Sequence, residues 1–426
     1  MIDPAALALN ADCYCWPVTR ELIIKQILQQ NASPHMEALL SDRPHYFAST
    51  TIFLAKNVLE QMSRQVHAIE TVVRSPKYIE MVRRRGAFSN DWPHQSLTDG
   101  AFMGYDFHIT DDGPRLIEIN SNAGGAFIVN MIEQAVRGSS LKGSLGILDM
   151  FQSEWKKAGR IAPLQTIAIV DGDPQAQYHY PDMCLAKTML ESQGLKVVIV
   201  DPKDLSFGNG RLRYENTAID LVYNRLTDFD LSEKDNALIR QAYENDAAVV
   251  TPAPHHHALY ADKRNLILLS DPASLKELGA SQGDIDILKA IPKTVAVTPD
   301  RALEMWEKRR KLFFKPQAGF GSRGAFRGAK LTKKVWADIL KGGYIAQDLI
   351  SPPVRAVTID GNKAALKFDF RVYTYDGHPL LYAARIYQGQ TTNLRTAGGG
   401  LAAVVTIDTP SCYSFDKETN GDIRSN

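Results

Sequence analysis

The chain has 426 residues, of which 44% are hydrophobic and 23% charged, and its formal net charge is +1 at pH 7. A chain of this length and composition is long enough for two or three globular domains. The near-neutral charge argues against a protein that binds nucleic acid or a membrane surface, because such proteins usually carry a large net charge or a block of basic residues.

The cysteines and the amino terminus favour a cytoplasmic protein. Four cysteines lack the spacing of a zinc site, and reduced thiols are expected of Cys13, Cys15, Cys184 and Cys412. Met1–Pro4 has no basic segment ahead of an apolar one, and no apolar run reaches the length of a membrane span. We therefore expect small-molecule partners, with neither nucleic acid nor membrane among them, and we leave a homo-oligomer open.

Residues 1–100 are predicted to form a helical amino-terminal region. Their clearest signal is an apolar stripe with spacings of three, four or seven residues, which is typical of one helix face. The stripe consists of Ile52, Leu59, Met62, Val66, Ile69 and Val73. Core packing is the simplest interpretation, and a partner-binding helix is the alternative.

Residues 101–160 begin with a change of period that indicates a β-hairpin. Phe102–Ile109 alternates loosely, a turn follows, and Arg115–Asn120 alternates again before a helical stretch. Asp106 is then expected on one strand, with Glu118 and Asn120 on its neighbour. Side chains two residues apart on a strand share a face, so the polar groups should lie together.

Residues 161–255 have the pattern of a Rossmann-like open sheet. An apolar strand, a helix and a second apolar strand form a βαβ unit, and two further buried strands follow. The predicted elements are strand Thr166–Val170, helix Pro181–Ser192, and strands Lys196–Val200, Ile219–Tyr223 and Ala247–Val250.

Residues 256–408 are predicted to be helical at first and then rich in strands, and residues 409–426 to be a polar tail. The strands are expected at Thr294–Val297, Lys311–Lys315, Ala325–Gly328, Tyr344–Gln347, Lys367–Tyr375, Leu380–Ile386 and Ala402–Ile407.

A glycine-rich loop follows a lysine at the end of one of these strands. Gly319-x-Gly321-x-x-Gly324 formally matches a dinucleotide fingerprint, which must open a helix, whereas here the strand Ala325–Gly328 follows. A glycine loop between two strands instead offers its amides to a triphosphate, and a flanking lysine such as Lys315 neutralises charge. The pattern favours ATP over NAD, with a surface hairpin as the structural alternative.

Two further groups of side chains suggest chemistry. Asp106, Glu118 and Asn120 offer the hard oxygen ligands that magnesium prefers, although a solvated strand face is the common alternative. The arginines of Asp369-x-Arg371 and Arg385, followed by a glycine-rich segment that ends at Gly398–Gly400, could hold an anionic intermediate.

These motifs resemble the ATP-grasp superfamily of carboxylate-amine ligases. Lys367–Gly400 is similar to the corresponding region of bacterial glutathione synthetase, which has an Asp-x-Arg strand, an Ala-Arg-Ile strand and an Asn-Leu-x-x-Gly-Gly ending. In that superfamily the magnesium strand normally comes last, whereas here Glu118-x-Asn120 precedes the glycine loop by about two hundred residues. The order resembles the circularly permuted branch, which includes eukaryotic glutathione synthetase and glutathionylspermidine synthetase.

The resemblance covers roughly residues 100 to 408, and it implies an α/β (α+β) ATP-grasp fold and a role for each matching residue. ATP and two Mg²⁺ ions are the implied cofactors. Nucleotide contacts are implied for Lys263, Lys315, Gly319, Gly321, Ser322, Gly324, Gln347, Asp348 and Ile350. Magnesium ligation is implied for Asp106, Glu118 and Asn120, and a catalytic role for Arg371, Arg385, Asn393 and Arg395. Gln347 stands where many members have glutamate.

Other residues leave the substrate undefined. Glutathionylspermidine synthetase has an arginine where this chain has Gly104. Asp171-Gly172-Asp173 and Tyr223-Asn224-Arg225 lie at predicted strand ends, where a carboxylate substrate or turn chemistry is equally compatible. His255–His257 could ligate a metal, but consecutive side chains point in different directions, so a loop role is favoured.

Taken together, the resemblance implies an ATP-dependent carboxylate-amine ligase that works through an acyl phosphate and releases ADP and phosphate. A small-molecule kinase on the same scaffold is the alternative enzyme. A non-catalytic nucleotide-binding protein that uses the helical amino terminus as an interaction surface is the alternative outside enzymes.

Overall fold

The computed structural model describes residues 4–11, 18–31, 34–85, 97–137, 141–319, 321, 323–359 and 361–407. Ser322, the predicted tail 409–426 and three of the cysteines, Cys13, Cys15 and Cys412, lie outside these residues. Cys184 is a free thiol. None of the helices within the described residues has the length and apolar character needed to span a membrane.

The helices concentrate in the first third of the chain and around the middle. They are α1 Pro4–Ala11, α2 Arg20–Gln30, α3 Pro34–Ser41, α4 Lys56–Val73, α5 Pro76–Arg84, α6 Ala126–Arg137, α7 Leu141–Lys157, α8 Tyr180–Glu191, α9 Ala237–Glu244, α10 Pro254–His256, α11 Asn265–Leu269, α12 Pro272–Glu277, α13 Gln282–Leu288, α14 Ala302–Lys308 and α15 Lys333–Ile339.

The strands are β1 Ile52–Ala55, β2 Met103–Thr110, β3 Gly113–Asn120, β4 Thr166–Val170, β5 Lys196–Val200, β6 Leu205–Gly208, β7 Arg211–Tyr214, β8 Thr217–Ala218, β9 Leu221–Asn224, β10 Val249–Thr251, β11 Thr294–Ala296, β12 Leu312–Pro316, β13 Phe326–Arg327, β14 Tyr344–Asp348, β15 Val354–Ile359, β16 Asn362–Tyr375, β17 His378–Tyr387, β18 Gly400–Ala402 and β19 Val404–Ile407. The longest strands are β16 with 14 residues and β17 with 10, followed by β2 and β3 with eight each.

A six-stranded antiparallel sheet brings the predicted hairpin next to strands from the end of the chain. Its order is β18-β17-β16-β2-β3, and β15 also pairs with β16. Asp106 of β2 lies opposite Glu118 on one side and Arg371 on the other, while Asp369 lies opposite Arg385. Because directly opposed residues and residues two apart share a face, all these polar side chains lie on one face of the sheet.

The other face of this sheet packs against α4, which carries most of the predicted apolar stripe. Tyr105 and Phe107 of β2 are buried with Met62, Val66 and Ile69 of the helix. The prediction is wrong for the first residue of the stripe. Ile52 lies in strand β1, which is wholly buried and pairs in parallel with β19, so its spacing from the helix is coincidental.

A bulge interrupts the regular alternation of the hairpin. Asp106 pairs with Glu118 but Phe107 pairs with Leu116, so Ile117 is an extra residue without a partner in the register. Regular alternation would put Ile117 and Ile119 together on the face opposite Glu118 and Asn120. The bulge instead leaves Ile119 buried and Ile117 only half-buried, at the edge of the polar face.

Residues 166–251 contain the predicted parallel sheet. Its order is β10-β9-β4-β5, all neighbours are parallel, and α8 connects β4 to β5. Apolar residues fill these strands because both faces of a parallel sheet are covered. The small antiparallel sheet β6-β7-β8 follows β5 and was not predicted from the sequence.

The glycine loop lies between two paired strands, as predicted. In the sheet β11-β14-β12-β13, β12 is antiparallel to β13, and the loop of residues 317–325 connects them. One predicted strand, Ala402–Ile407, is wrong in detail. It divides at Ala403 into β18, which pairs with β17, and β19, which pairs with β1.

Candidate active site

The centre of the polar face is a carboxylate held by two arginines. Asp106 is almost fully buried, and its oxygens accept hydrogen bonds from Nε and Nη2 of Arg371 at 2.7 and 2.8 Å. Nη2 of Arg385 lies 2.9 Å from the same carboxylate, and the amide of Asn120 donates to it at 3.0 Å. Burial raises the pKa of Asp106, but Arg371 and Arg385 outweigh burial and hold this pKa well below its usual value.

A second buried carboxylate continues this network. Asp369 accepts hydrogen bonds from Nε of Arg385 at 2.7 Å and from the hydroxyl of Thr392. Asp369 is completely buried, so its charge is compensated within the protein. Arg385 is therefore fixed from both sides, with its guanidinium held between Asp106 and Asp369.

Glu118 and Lys263 connect the sheet to the glycine loop. Nζ of Lys263 lies 3.1 Å from Oε1 of Glu118 and donates to the carbonyl of Gly319 at 2.9 Å. Burial opposes ionisation of Glu118, but Lys263 and Lys315 lower its pKa below the usual value. Glu118 is therefore an anion between two cations at the mouth of the loop.

Lys315 is hydrogen-bonded to the backbone at the bulge of the hairpin. Its buried ammonium donates to the carbonyl of Ile117 at 2.6 Å and to Oε1 of Gln347 at 2.9 Å. A bulged residue leaves its backbone groups outside the ladder, so the Ile117 carbonyl is open to a side-chain donor. Burial lowers the pKa of Lys315 to about 8, against the opposing effect of Glu118.

Glu118, Lys263 and Lys315 line a cleft of about 140 Å³ that extends to residues expected to contact the nucleotide. Gln347, Asp348 and Ile350 all border it. His108, which the sequence did not single out, also lines the cleft and donates from Nδ1 to the carbonyl of Ile350 at 2.9 Å. Lys263 and Lys315 line the cleft together with Asp348, Leu349 and Ile350 of the segment at the end of β14.

The glycine loop borders this cleft in a conformation that requires glycine. Gly321 and Gly324 have φ of 57° and 69°, in the left-handed region that side chains disfavour. A Cβ at Gly324 would also lie 3.0 Å from the hydroxyl of Tyr344. Gly319 and Arg323 of the loop line both this cleft and the neighbouring cavity.

The neighbouring cavity, of about 530 Å³, lies between the polar face and the carboxyl edge of the parallel sheet. Glu118 and Lys263 line both the cleft and this cavity. On the far wall, Nη1 of the buried Arg225 donates to Asn122 at 2.5 Å, while its Nε has no hydrogen-bond partner in the described part of the chain. An incompletely paired buried cation that lines a cavity suits an anionic ligand.

Burial shifts the pKa of three further cavity-lining groups, so both histidines are neutral at pH 7 while Asp171 remains mostly ionised. Burial lowers the pKa of His179 to about 3 and that of His257 to about 4. Burial raises the pKa of Asp171 to about 6, against the opposing effect of Arg225. His257 stacks on Phe229 with ring centroids 4.0 Å apart, which gives the cavity one aromatic wall.

The histidine row does not converge on one point. His255 is hydrogen-bonded with Tyr243 through Nδ1, whereas Nδ1 of His256 accepts from the amide of Ala253, and His257 faces the cavity. The row lies in α10 and the π-helical turn after it rather than in the predicted loop. The ring centroids of His255 and His256 lie 3.8 Å apart, so the predicted divergence of consecutive side chains is wrong for this pair and holds for His257.

The loop between β17 and β18 contains two predicted catalytic residues in different positions. Asn393 lines the cavity, yet its side chain bonds to Gln388, Arg395 and Thr396 within the loop. Arg395 is exposed, lines neither the cleft nor the cavity, and lies over the ring of Tyr178. The structure therefore brings Arg371 and Arg385 to the site. Asn393 instead bonds within the loop, and Arg395 contacts Tyr178 beside it.

The donor set fits a hard cation at two of the three predicted positions. Glu118 and Asn120 lie two residues apart on one face and both line the cavity. Asp106 fits less well because Arg371, Arg385 and Asn120 already bond to its oxygens. Within the described ranges, no cluster of three or more histidine, cysteine, aspartate or glutamate side chains could hold a metal ion.

Sequence reasoning missed the residues whose partners are distant in the chain. His108 has its partner in Ile350, and Tyr178 donates to the carbonyl of Leu394 at 2.6 Å. Neither belongs to a glycine-rich or charged motif. Their position next to predicted strand ends, two residues after Asp106 and seven after Asp171, was the available signal.

No protein-family model and no curated protein sequence matches the chain. Among solved structures, a glutathione synthetase-like effector from Globodera pallida in its apo form is similar over 92% of this chain and 100% of that chain, with 11% identity and a TM-score of 0.56. A Methylobacillus flagellatus protein proposed to be a gamma-glutamylcysteine synthetase aligns over 78% of this chain and 83% of its own, with 12% identity and a TM-score of 0.45. D-alanyl-alanine synthetase A from Vibrio cholerae aligns over 57% and 88%, with 13% identity and a TM-score of 0.29.

The first of these similarities confirms that the chain has the overall fold of a glutathione synthetase-like protein. The mixed α/β architecture expected from the sequence is confirmed at that level. The other two similarities are too distant to support an argument about individual residues.

Proposed function

We propose that the protein is an ADP-forming ATP-grasp ligase that joins a carboxylate to an amine. The observation that carries this proposal is the meeting of the cleft and the cavity at Glu118 and Lys263, with Lys315, Arg371 and Arg385 close by. A site with a cleft beside the glycine loop on one side, a separate cavity on the other and concentrated positive charge between them suits transfer of a phosphoryl group to a second substrate.

In this proposal ATP occupies the cleft. The base lies against the backbone of Asp348–Ile350, and the phosphates extend toward Lys315 and Lys263 under the glycine loop. The loop amides and both lysines would neutralise the phosphate charge. Displacement of the Lys263–Glu118 ion pair by phosphate would leave Glu118 free to act as a ligand.

Glu118 and Asn120 would hold magnesium, which supplies charge neutralisation between the phosphate oxygens when it is bound. Asp106 would then act by holding Arg371 and Arg385 in place rather than as a third ligand. This assignment keeps two of the residues expected from the sequence and gives the third a positioning role.

The proposed reaction has two steps and needs no enzyme nucleophile. A substrate carboxylate oxygen attacks the γ-phosphorus of ATP, the bond to the β-phosphate oxygen breaks, and ADP leaves. The amine then attacks the acyl carbon and loses a proton, and inorganic phosphate leaves with its electron pair. Arg371 and Arg385 stabilise the charge on the acyl phosphate, so positioning and electrostatics carry the rate acceleration.

The carboxylate substrate is proposed to enter from the larger cavity. Arg225 and Asn122 lie at the carboxyl edge of the parallel sheet, where ligands of open α/β sheets commonly bind. The guanidinium of Arg225, which lines this cavity, can donate to an acidic group on the substrate other than the reacting carboxylate.

The domain division remains part of the proposal. We divide the chain into a helical region at 1–100, permuted magnesium strands at 101–160, a Rossmann-like substrate domain at 161–255 and nucleotide-binding subdomains at 256–408. The pairing of β2 with β16 supports the permuted order, because the metal-binding hairpin precedes the glycine loop in sequence yet shares a sheet with strands that follow it.

A screen of paired carboxylates and amines, read out by ADP release and by mass detection of the product, tests the proposal. An amide product that requires both substrates supports it, and Glu118→Gln should abolish its formation. A phosphorylated product formed without an amine would instead select the kinase. If every pair fails to raise ADP release above the background hydrolysis of ATP, the ligase proposal is contradicted.

A non-catalytic nucleotide-binding protein is the second candidate. The observation that favours it is the complete engagement of Asp106 by two arginines, which removes one of the expected metal ligands. Tight ATP binding with no product from any pair, and unchanged ATP hydrolysis in Asn120→Ala, would select this candidate.

A further inference from the structure

Residues 388–399, here called the lid, border both the cleft and the cavity. Gln390 and Thr391 line the cleft, Asn393 and Leu394 line the cavity, and Thr392 lines both. The lid contains no helix or strand of its own. Its position therefore depends on side-chain contacts with the rest of the molecule.

At its inner end the lid is bonded to the site itself. The hydroxyl of Thr392 donates to Asp369, which also accepts from Nε of Arg385 at 2.7 Å. A displacement of Thr392 would release one of the two partners of the Asp369 carboxylate. The lid and the arginine at the phosphate end are thus coupled through one buried carboxylate.

At its outer end the lid is bonded across the cavity to Tyr178. The hydroxyl of Tyr178 donates to the carbonyl of Leu394 at 2.6 Å. The guanidinium of Arg395 lies 5.4 Å from the centre of the same ring, which is within the range of a cation–π contact. Tyr178 precedes α8 and belongs to the substrate side of the cavity, so these contacts bridge the two walls.

The amino-terminal helical region holds Tyr178 in this position. Arg43 donates from Nε to the carbonyl of Tyr178 at 2.9 Å and from Nη2 to that of Gln177 at 3.1 Å. The ring of Tyr46 packs edge-on against Tyr178, and its hydroxyl is hydrogen-bonded with Nδ1 of His179 at 2.9 Å. Two residues of this region therefore fix a segment whose next contact is the lid.

We propose that Tyr178 is a positioning residue that holds the lid closed over the phosphate end, and that Arg43 and Tyr46 keep Tyr178 in place. At the outer end of the lid, one neutral hydrogen bond and one ring contact form a closure weak enough to open in each turnover, while Thr392 keeps the inner end attached to Asp369. A closed lid keeps water away from an acyl phosphate, so this catalytic role rests on the proposed ligase function. The amino-terminal helices would then support the site directly rather than only pack against the sheet.

Trypsin provides a readout that is independent of turnover, because Arg395 lies in the lid and is exposed. Loss of one hydrogen bond of this kind should increase the open population roughly fivefold. We expect Tyr178→Phe to speed cleavage after Arg395 by about that factor, measured from the masses of the two fragments. Tyr78→Phe is a matched control, because Tyr78 also donates to a backbone carbonyl, that of Leu259 at 2.8 Å, far from the lid.

Hydrogen exchange of lid peptides in Arg43→Gln provides a second measurement for the amino-terminal part of the proposal. Faster exchange in residues 389–394, with the β16–β17 strands unchanged, supports it. Equal cleavage rates in Tyr178→Phe and the wild type, or an equal increase in Tyr78→Phe, would overturn the positioning role. Faster cleavage in Tyr178→Phe but not in Tyr78→Phe supports the positioning role of Tyr178, whether or not any substrate pair yields an amide. Failure of this role and failure of the ligase function are therefore distinguishable.

Discussion

Arg371 binds both carboxylate oxygens of Asp106 from the neighbouring strand, through Nε at 2.7 Å and Nη2 at 2.8 Å. A Cβ at Gly104 would lie 3.4 Å from Nε of Arg371 and 2.7 Å from Cβ of Ala123. Position 104 therefore has no room for the arginine that the resemblance to glutathionylspermidine synthetase would suggest. Arg371 occupies the adjoining space and directs its guanidinium at Asp106.

Metal binding should depend on Glu118 more than on Asp106. Even outer-shell partners of a metal cost roughly 10–100-fold in affinity when altered, so loss of the Glu118 ligand in Glu118→Gln should weaken Mn²⁺ binding in the presence of ATP by at least about tenfold. Asp106→Asn keeps an oxygen that can accept a hydrogen bond from Asn120. This variant should weaken Mn²⁺ binding by less than about threefold. Electron paramagnetic resonance of Mn²⁺ measures both.

The variants Glu118→Gln and Asp106→Asn also separate an effect on metal binding from an effect on the stability of the fold. Asp106→Asn leaves two buried guanidiniums without their shared anion, so the free energy of unfolding should fall by about 3 kcal/mol. Chemical denaturation measures this loss. If Asp106→Asn removed Mn²⁺ binding as fully as Glu118→Gln does, Asp106 would be a ligand and the positioning role would be wrong.

ATP binding should weaken as the pH rises through about 8, the pKa of Lys315. The cation is present below this value and is lost above it, so affinity should be full at pH 7 and should fall by up to about tenfold by pH 9.5. Gln347→Glu puts a carboxylate next to Nζ, raises the pKa of Lys315 and should keep the affinity at pH 9.5. Titration calorimetry across this range measures the effect.

Lys315→Met is the control for this pH dependence. It should bind ATP weakly at every pH and lose the transition near pH 8. An equal transition in Lys315→Met and the wild type would assign the effect to another group.

The glycine loop should lose nucleotide affinity when its backbone is strained. Gly324→Ala requires a left-handed alanine, which costs about 1 kcal/mol, and brings a Cβ to 3.0 Å from the Tyr344 hydroxyl. We expect ATP affinity to fall by roughly fivefold, as measured by titration calorimetry. Gly279→Ala has the same backbone penalty at φ of 87° in open space away from the cleft, so it should lose similar stability but no affinity.

Arg225 should determine the affinity for the carboxylate substrate alone. Arg225→Gln removes a charged donor from the cavity wall, and loss of a charge-assisted bond of about 2 kcal/mol corresponds to a KM roughly thirtyfold higher. The ATP dissociation constant should stay unchanged because Arg225 lines the larger cavity and not the cleft. An equal loss of ATP affinity would show that the variant disturbs the whole site.

Local patterns predict the hairpin and the parallel sheet because their partners are close in sequence. Glu118 and Asn120 follow from strand alternation, and the strand character of residues 166–170 follows from a short apolar run. Contacts between distant segments leave no such pattern. Strand β1 has its partner in β19, and the pairing of Asp106 with Arg371 joins residues 265 positions apart, so neither could be inferred from local periodicity.

Side-chain chemistry is predictable to a similar extent. The types and spacing of Lys315, Arg371 and Arg385 predict a phosphate-binding site, and that role stays a prediction; the fold places Lys315 on the cleft and both arginines on the cavity. The bulge at Ile117, which frees a carbonyl for Lys315, was not predictable because it shifts the register by one residue without a marker in the sequence.

Oxygen transfer from the substrate tests the central claim most directly. With an ¹⁸O-labelled carboxylate and an amine that together yield product, a ligase that works through an acyl phosphate transfers one labelled oxygen to each phosphate released. We predict one ¹⁸O per phosphate in the wild type, with loss of both label transfer and amide in Glu118→Gln. Amide formation with unlabelled phosphate, or labelled acyl phosphate that accumulates and is never converted by any amine, would contradict the account.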